Sequence, residues 1–130
     1  MPHIMIDYSP NLAARLDIPG LCRALRDAAV ATGVLPLAGI RVRATACDHV
    51  VIADGSPDHA FLDISVRLRE GRSLADRERA TAQIFAAAEA WCAEVLSTSS
   101  FMLSFEMREI DARLSPKTSS IRRYLPGETA

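Results

Sequence analysis

Ala60-Phe61-Leu62-Asp63-Ile64-Ser65-Val66-Arg67-Leu68-Arg69 alternates without interruption. Ala60, Leu62, Ile64, Val66 and Leu68 make one row and Phe61, Asp63, Ser65, Arg67 and Arg69 the other, the period of a strand with one buried face. The segment follows Asp54-Gly55-Ser56-Pro57-Asp58, the clearest turn signal in the chain, and Gly71 ends it. Next, Ser73 and Asp76 have capping-box spacing. Leu74, Ile84, Phe85, Ala88, Trp91, Cys92, Val95 and Leu96 then mark one helical face through about residue 97. Leu103, Phe105 and Met107 alternate with Ser104, Glu106 and Arg108 in a last strand, before a polar tail at 115–130.

Upstream the same order is written once already. Residues 2–7 form a short apolar strand closed by the turn cluster Tyr8-Ser9-Pro10-Asn11. Asp17 is an N-cap with Pro19 in the first turn, and Leu21, Leu25, Ala28, Ala29 and Thr32 keep helical spacing until Gly33. After the loop 34–39, Ile40, Val42, Ala44 and Ala46 alternate with Arg41, Arg43, Thr45 and Cys47. A short apolar piece, 50–53, leads into the turn. The halves, about 2–47 and 60–110, are therefore two β-α-β units. They predict an α+β fold: a four-stranded mixed sheet with both helices on one face. The other face gathers Arg41, Arg43, Asp63, Arg67, Glu106 and Arg108, which suits a subunit interface with charged edges better than solvent.

The chain of 130 residues and 14.1 kDa predicts one domain over 1–130. Its 49% apolar content includes 21 alanines and only seven aromatics, a thin core that invites completion by copies of the chain. Fifteen basic against 16 acidic residues argue against a nucleic-acid partner. All the basic residues but Lys117 are arginine, which grips carboxylates with two prongs, although compositional bias accounts for most of the fourteen. Cys22, Cys47 and Cys92 lack CxxC spacing and read as small buried residues in a reducing compartment. With no membrane span and no leader, the expected location is cytoplasmic.

Pro2 is the sharpest chemical candidate. Initiator methionine is commonly removed before a small residue, and the exposed proline amine is a base once neutral. Burial and nearby cations both lower an amine's pKa, and arginines there would also hold a carboxylated substrate. His49 and His59, with Asp48, Asp54 and Asp58, have no recognised metal spacing and read as solvated turn residues. His3 packs in strand one. Arg77-Glu78-Arg79 reads as the wet side of helix two.

Met1-Pro2-His3, Pro36-Leu37-Ala38-Gly39-Ile40-Arg41, Ala53-Asp54-Gly55, Gly71-Arg72-Ser73-Leu74 and Leu103-Ser104-Phe105-Glu106 occur in order along the chain. Together they resemble the 5-carboxymethyl-2-hydroxymuconate delta-isomerases of the tautomerase superfamily, over about residues 1–125. The resemblance implies a homotrimer and a cofactor-free isomerase that moves a double bond in a 2-hydroxymuconate during homoprotocatechuate breakdown, with no metal. It implies Pro2 as general base and Arg41 and Arg72 as catalytic, substrate-binding cations. Two other readings stand beside it: a promiscuous keto-enol tautomerase acting on another small 2-oxo acid, and a non-catalytic trimeric anion-binding protein.

Overall fold

The alternating segments become the four strands of one sheet. The structure is a computed structural model and describes residues 1–127, so the last three residues of the expected tail, 128–130, lie outside the described residues. The elements are β1 (His3–Tyr8), α1 (Ile18–Ala31), β2 (Arg41–Ala46), β3 (Ala60–Arg69), α2 (Leu74–Trp91), α3 (Ala93–Thr98) and β4 (Phe101–Ile110). Their order in the sheet is β2-β1-β3-β4. β1 pairs parallel with β2, and β3 parallel with β4, because each pair is joined by a helical crossover. β1 and β3 meet antiparallel at the centre and make the sheet mixed, as expected.

The central strands carry the core. Ile4 and Ile6 of β1 and Leu62, Ile64, Val66 and Leu68 of β3 are at most 1% exposed, covered by Leu21 and Leu25 of α1 and Ile84 and Ala88 of α2. The register places His3 beside Arg41 and Arg67, and Arg67 beside Arg108, so the other face carries the expected charges. No helix among the described residues is long and apolar enough to cross a membrane.

Local signals set the helix starts. The Asp17 carboxylate accepts from Gly20 N at 3.0 Å, and the Ser73 hydroxyl accepts from Asp76 N at 3.1 Å. The Asp76 carboxylate engages Arg79 instead of reaching back, so only half of the capping box forms. The second helix differs from the expected single run to residue 97: it stops at Trp91, and Cys92 (φ −93°, ψ 8°) redirects the chain into α3. Cys92 and Val95 stay inside, while Leu96 is turned outward. Leu74, in the first turn, opens onto a surface hollow beside Thr81 and Met107. Trp91 also lies at the surface, because its indole N–H needs an acceptor and finds Asp17 O at 3.0 Å. Cys92 alone of the three cysteines is fully buried; Cys22 and Cys47 are half-buried.

Gly20 lies under that contact. A Cβ there would fall 2.5 Å from Trp91 Cζ2 and closer still to the Asp17 carboxylate. Gly20→Ala should therefore disturb both the α1 cap and the Trp91 bond. Alanine's helix preference offsets part of the loss, leaving a net cost of about 1–2 kcal/mol. Urea unfolding measures it as a lower midpoint at unchanged slope.

Candidate functional site

The sheet topology brings the chain's amine between two arginine-bearing ends. The N-terminal end of β1 lies beside the start of β2 and the end of β3, with His3 opposite both Arg41 and Arg67. Pro2 is fully buried, and its carbonyl accepts from Arg41 N at 3.2 Å. The 37–39 turn closes over it at Gly39, where a Cβ would fall 2.5 Å from Met1 N and 3.1 Å from Pro2 Cδ. Glycine is required there because the backbone touches the terminus directly.

Arg41 leaves β2 with an exposed guanidinium that has no hydrogen-bond or ion-pair partner among the described residues. Arg72 is held more firmly. Gly71 turns the chain with φ +119°, and Arg72 then donates through Nε to Val34 O (3.1 Å) and through Nη1 to Arg69 O (2.9 Å). Arg77 is half-buried and donates to Arg72 O at 3.3 Å, while Arg79 donates to Thr32 O at 2.7 Å. Two members of the expected wet helix face therefore brace the loops below it.

The amine of Met1 is lowered from its ordinary 8.0 to about 6, first by burial, then by the charges of Lys117, Arg41, Arg72 and Arg69. His3 is pushed down to about 4 by burial and by Arg41, Arg67 and Arg43. Arg43 Nη1 donates to its Nδ1 at 3.2 Å, which fits a neutral ring. An amine that loses its proton near 6 is about nine-tenths neutral at pH 7. Titration of the terminal amine, followed by its reactivity toward an amine reagent, should show a midpoint near 6 and no contribution from His3 above pH 5. A midpoint near 8 would contradict this electrostatic account.

Beside the amine lies a cavity of about 470 Å³. Met1, Pro36, Ala38 and Gly39 contribute one part of its lining, and Lys117, Ser119, Ser120, Arg122 and Arg123 the other. The volume falls within the range of about 300–1,000 Å³ typical of small-molecule sites. Arg41, at the start of β2, and Arg72, in the loop after β3, act on the amine but do not line the cavity. Sequence reasoning missed Lys117, Arg69 and Gly39. The signals available were the single lysine in an arginine chain and a glycine in a loop just before a strand.

His59 has a structural role rather than a solvated one. Its Nε2 meets Asp54 Oδ1 at 2.7 Å and its Nδ1 meets Ser100 Oγ at 2.6 Å, tying the 54–59 turn to the start of β4.

A buried proline beside the chain's amine, flanking arginines and a cavity that carries basic side chains together suit proton transfer on an anionic substrate. The family model described as 5-carboxymethyl-2-hydroxymuconate isomerase matches residues 2–125. A 5-carboxymethyl-2-hydroxymuconate Delta-isomerase of Escherichia coli is 33% identical over 121 residues, covering 93% of this chain and 96% of the relative. A crystal structure of a 5-carboxymethyl-2-hydroxymuconate delta-isomerase superposes with TM-score 0.90 at 32% identity, over 99% of this chain and 96% of that one. A 5-carboxymethyl-2-hydroxymuconate isomerase from Deinococcus radiodurans R1 superposes with TM-score 0.87 at 29% identity, over 95% of this chain and 94% of that one.

Proposed function

The chain belongs to the 5-carboxymethyl-2-hydroxymuconate isomerase family and is an isomerase of the tautomerase type; from that premise we propose its substrate, base and assembly. The substrate is 5-carboxymethyl-2-hydroxymuconate, converted to its conjugated 2-oxo isomer in the cytoplasm. The base is the Pro2 amine, freed by removal of Met1, and Arg41 and Arg72 are the cations that hold the substrate. The observation that carries this reading is the amine of Met1, which lies partly buried next to Pro2 and is lowered to about 6 by burial and by Lys117, Arg41, Arg72 and Arg69, the same surroundings that a Pro2 amine would enter.

In this mechanism the neutral amine accepts the proton of the 2-hydroxyl. The C2–O bond becomes a carbonyl, the C2=C3 electrons form C3=C4, and the C4=C5 electrons take a proton at C5 from the ammonium. The amine ends neutral, so no net proton is consumed. Arg41 and Arg72 stabilise the dienolate charge developing near C2, an electrostatic contribution of the oxyanion-hole kind. A low amine pKa serves both half-steps, because the conjugate acid must return its proton.

The assembly is a homotrimer of one tautomerase-like domain. Its support lies on the open sheet face and along the tail. Met102, Leu114, Ile121 and Tyr124 are exposed apolar side chains, and covering them calls for neighbouring copies.

The test is ultraviolet absorbance of the hydroxymuconate as it converts to the conjugated ketone, with sedimentation for the assembly. Rapid conversion with weak turnover of phenylpyruvate enol supports the reading. Preference for the phenylpyruvate enol would favour the keto-enol tautomerase, and anion binding without any turnover a binding protein.

A further inference from the structure

We propose that Lys117, on the segment after β4, is a specificity-determining residue that binds the carboxylates at the C5 end of the substrate. This inference rests on the isomerase reading above and names what that reading leaves unassigned. The substrate carries three carboxylates, one beside the 2-hydroxyl and two at the C5 end. Arg41 and Arg72 serve the 2-hydroxyl end, which leaves the other end without a partner. The cavity next to the amine supplies one. Among the described residues its lining includes Lys117, Arg122 and Arg123 and no aspartate or glutamate. In a chain of net charge −1, such a one-signed lining indicates an anionic occupant.

Lys117 is the strongest of the three candidates. Its ammonium is exposed and makes no hydrogen bond or ion pair among the described residues, and among the charges acting on the terminal amine it is the largest. The base and the distal cation are thus held near each other, as one conjugated substrate spanning both would require. The backbone that presents Lys117 is anchored two residues earlier. Arg69 Nη2 donates to Ser115 O at 3.0 Å, and the Ser115 hydroxyl donates to Asp111 O at 2.7 Å. Arg69 is therefore a positioning residue: its guanidinium clamps the segment and its charge also bears on the amine.

The experiment compares two dienols, 5-carboxymethyl-2-hydroxymuconate and 2-hydroxypenta-2,4-dienoate, which shares the C1 carboxylate but lacks any carboxylate at the far end. In Lys117→Ala and Lys117→Gln the ratio of KM for the first to KM for the second should rise about tenfold, with Lys117→Arg restoring it. A ratio within twofold of the wild type, or a KM rise equal for both dienols, would overturn the proposal. Calorimetric binding of the 2-oxo product, independent of turnover, separates this inference from the one beneath it. Binding weakened about tenfold by Lys117→Gln upholds Lys117 even in protein that does not turn over, an outcome that would retire Pro2 as base. Equal binding by wild type and variant, or none by the wild type, would refute the Lys117 assignment.

Discussion

Pro2→Ala should lower kcat/KM for the hydroxymuconate by about 10²–10⁴-fold, the contribution of a positioned general base. Alanine at this position still yields a free amine after Met1 is removed, so the variant tests more than the presence of nitrogen. The proline ring is fully buried and its Cδ abuts Gly39, which fixes where the nitrogen lone pair can point. A primary amine on a freely rotating terminus loses that orientation. The fold should persist, because the Arg41 N–H to Pro2 carbonyl bond is backbone and survives the substitution. Sedimentation of the variant as wild type, together with the rate loss, is the expected pair of results. A rate within tenfold of wild type would sink the assignment of Pro2.

Arg41→Ala and Arg72→Ala should each reduce kcat/KM by about 10²–10³-fold, as for loss of one group that stabilises a developing oxyanion. Their stability signatures should differ. The Arg41 side chain has no hydrogen-bond partner among the described residues, so its loss should leave the melting temperature in place. Arg72 donates to Val34 O and Arg69 O, and removing it strands two carbonyls at a cost of about 1–2 kcal/mol. Arg72→Lys keeps the charge but not the fork, and should recover less activity than stability. Loss of less than threefold in both alanine variants would remove the arginines from the mechanism. Steady-state kinetics with thermal melting reads both properties from the same samples.

The strands were legible because each has one face against the helices, and a half-buried strand records that asymmetry every second residue. Ala60 to Leu68 is the strongest case, and β3 lies at the centre of the sheet. The Asp17 and Ser73 caps were legible because the bonds they make are local. The break at Cys92 was not, since the apolar positions on either side of it continue a helical rhythm. Trp91 and Leu74 read as core for a similar reason: periodicity reports a face but not where the covering layer ends.

The site divides in the same way. Arg41 and Arg72 stand in segments that carry the family resemblance, and Pro2 stands out by its chemistry beside a removable methionine. Lys117 had no local pattern to mark it. Its relation to the amine arises only when the segment after β4 is clamped by Arg69 near the N-terminal end of β1, a juxtaposition of residues more than a hundred positions apart. Arg69 looked like a simple outward strand residue for the same reason. Long-range placement of this kind leaves no trace in spacing.

The most direct test of Pro2 as the base uses one preparation in two forms, with Met1 retained and with Met1 removed, each verified by mass spectrometry. Hydroxymuconate turnover, followed by ultraviolet absorbance, should rise in proportion to the fraction of chains that begin at Pro2 and be absent when Met1 caps the nitrogen as an amide. Equal turnover by the two forms would contradict the account.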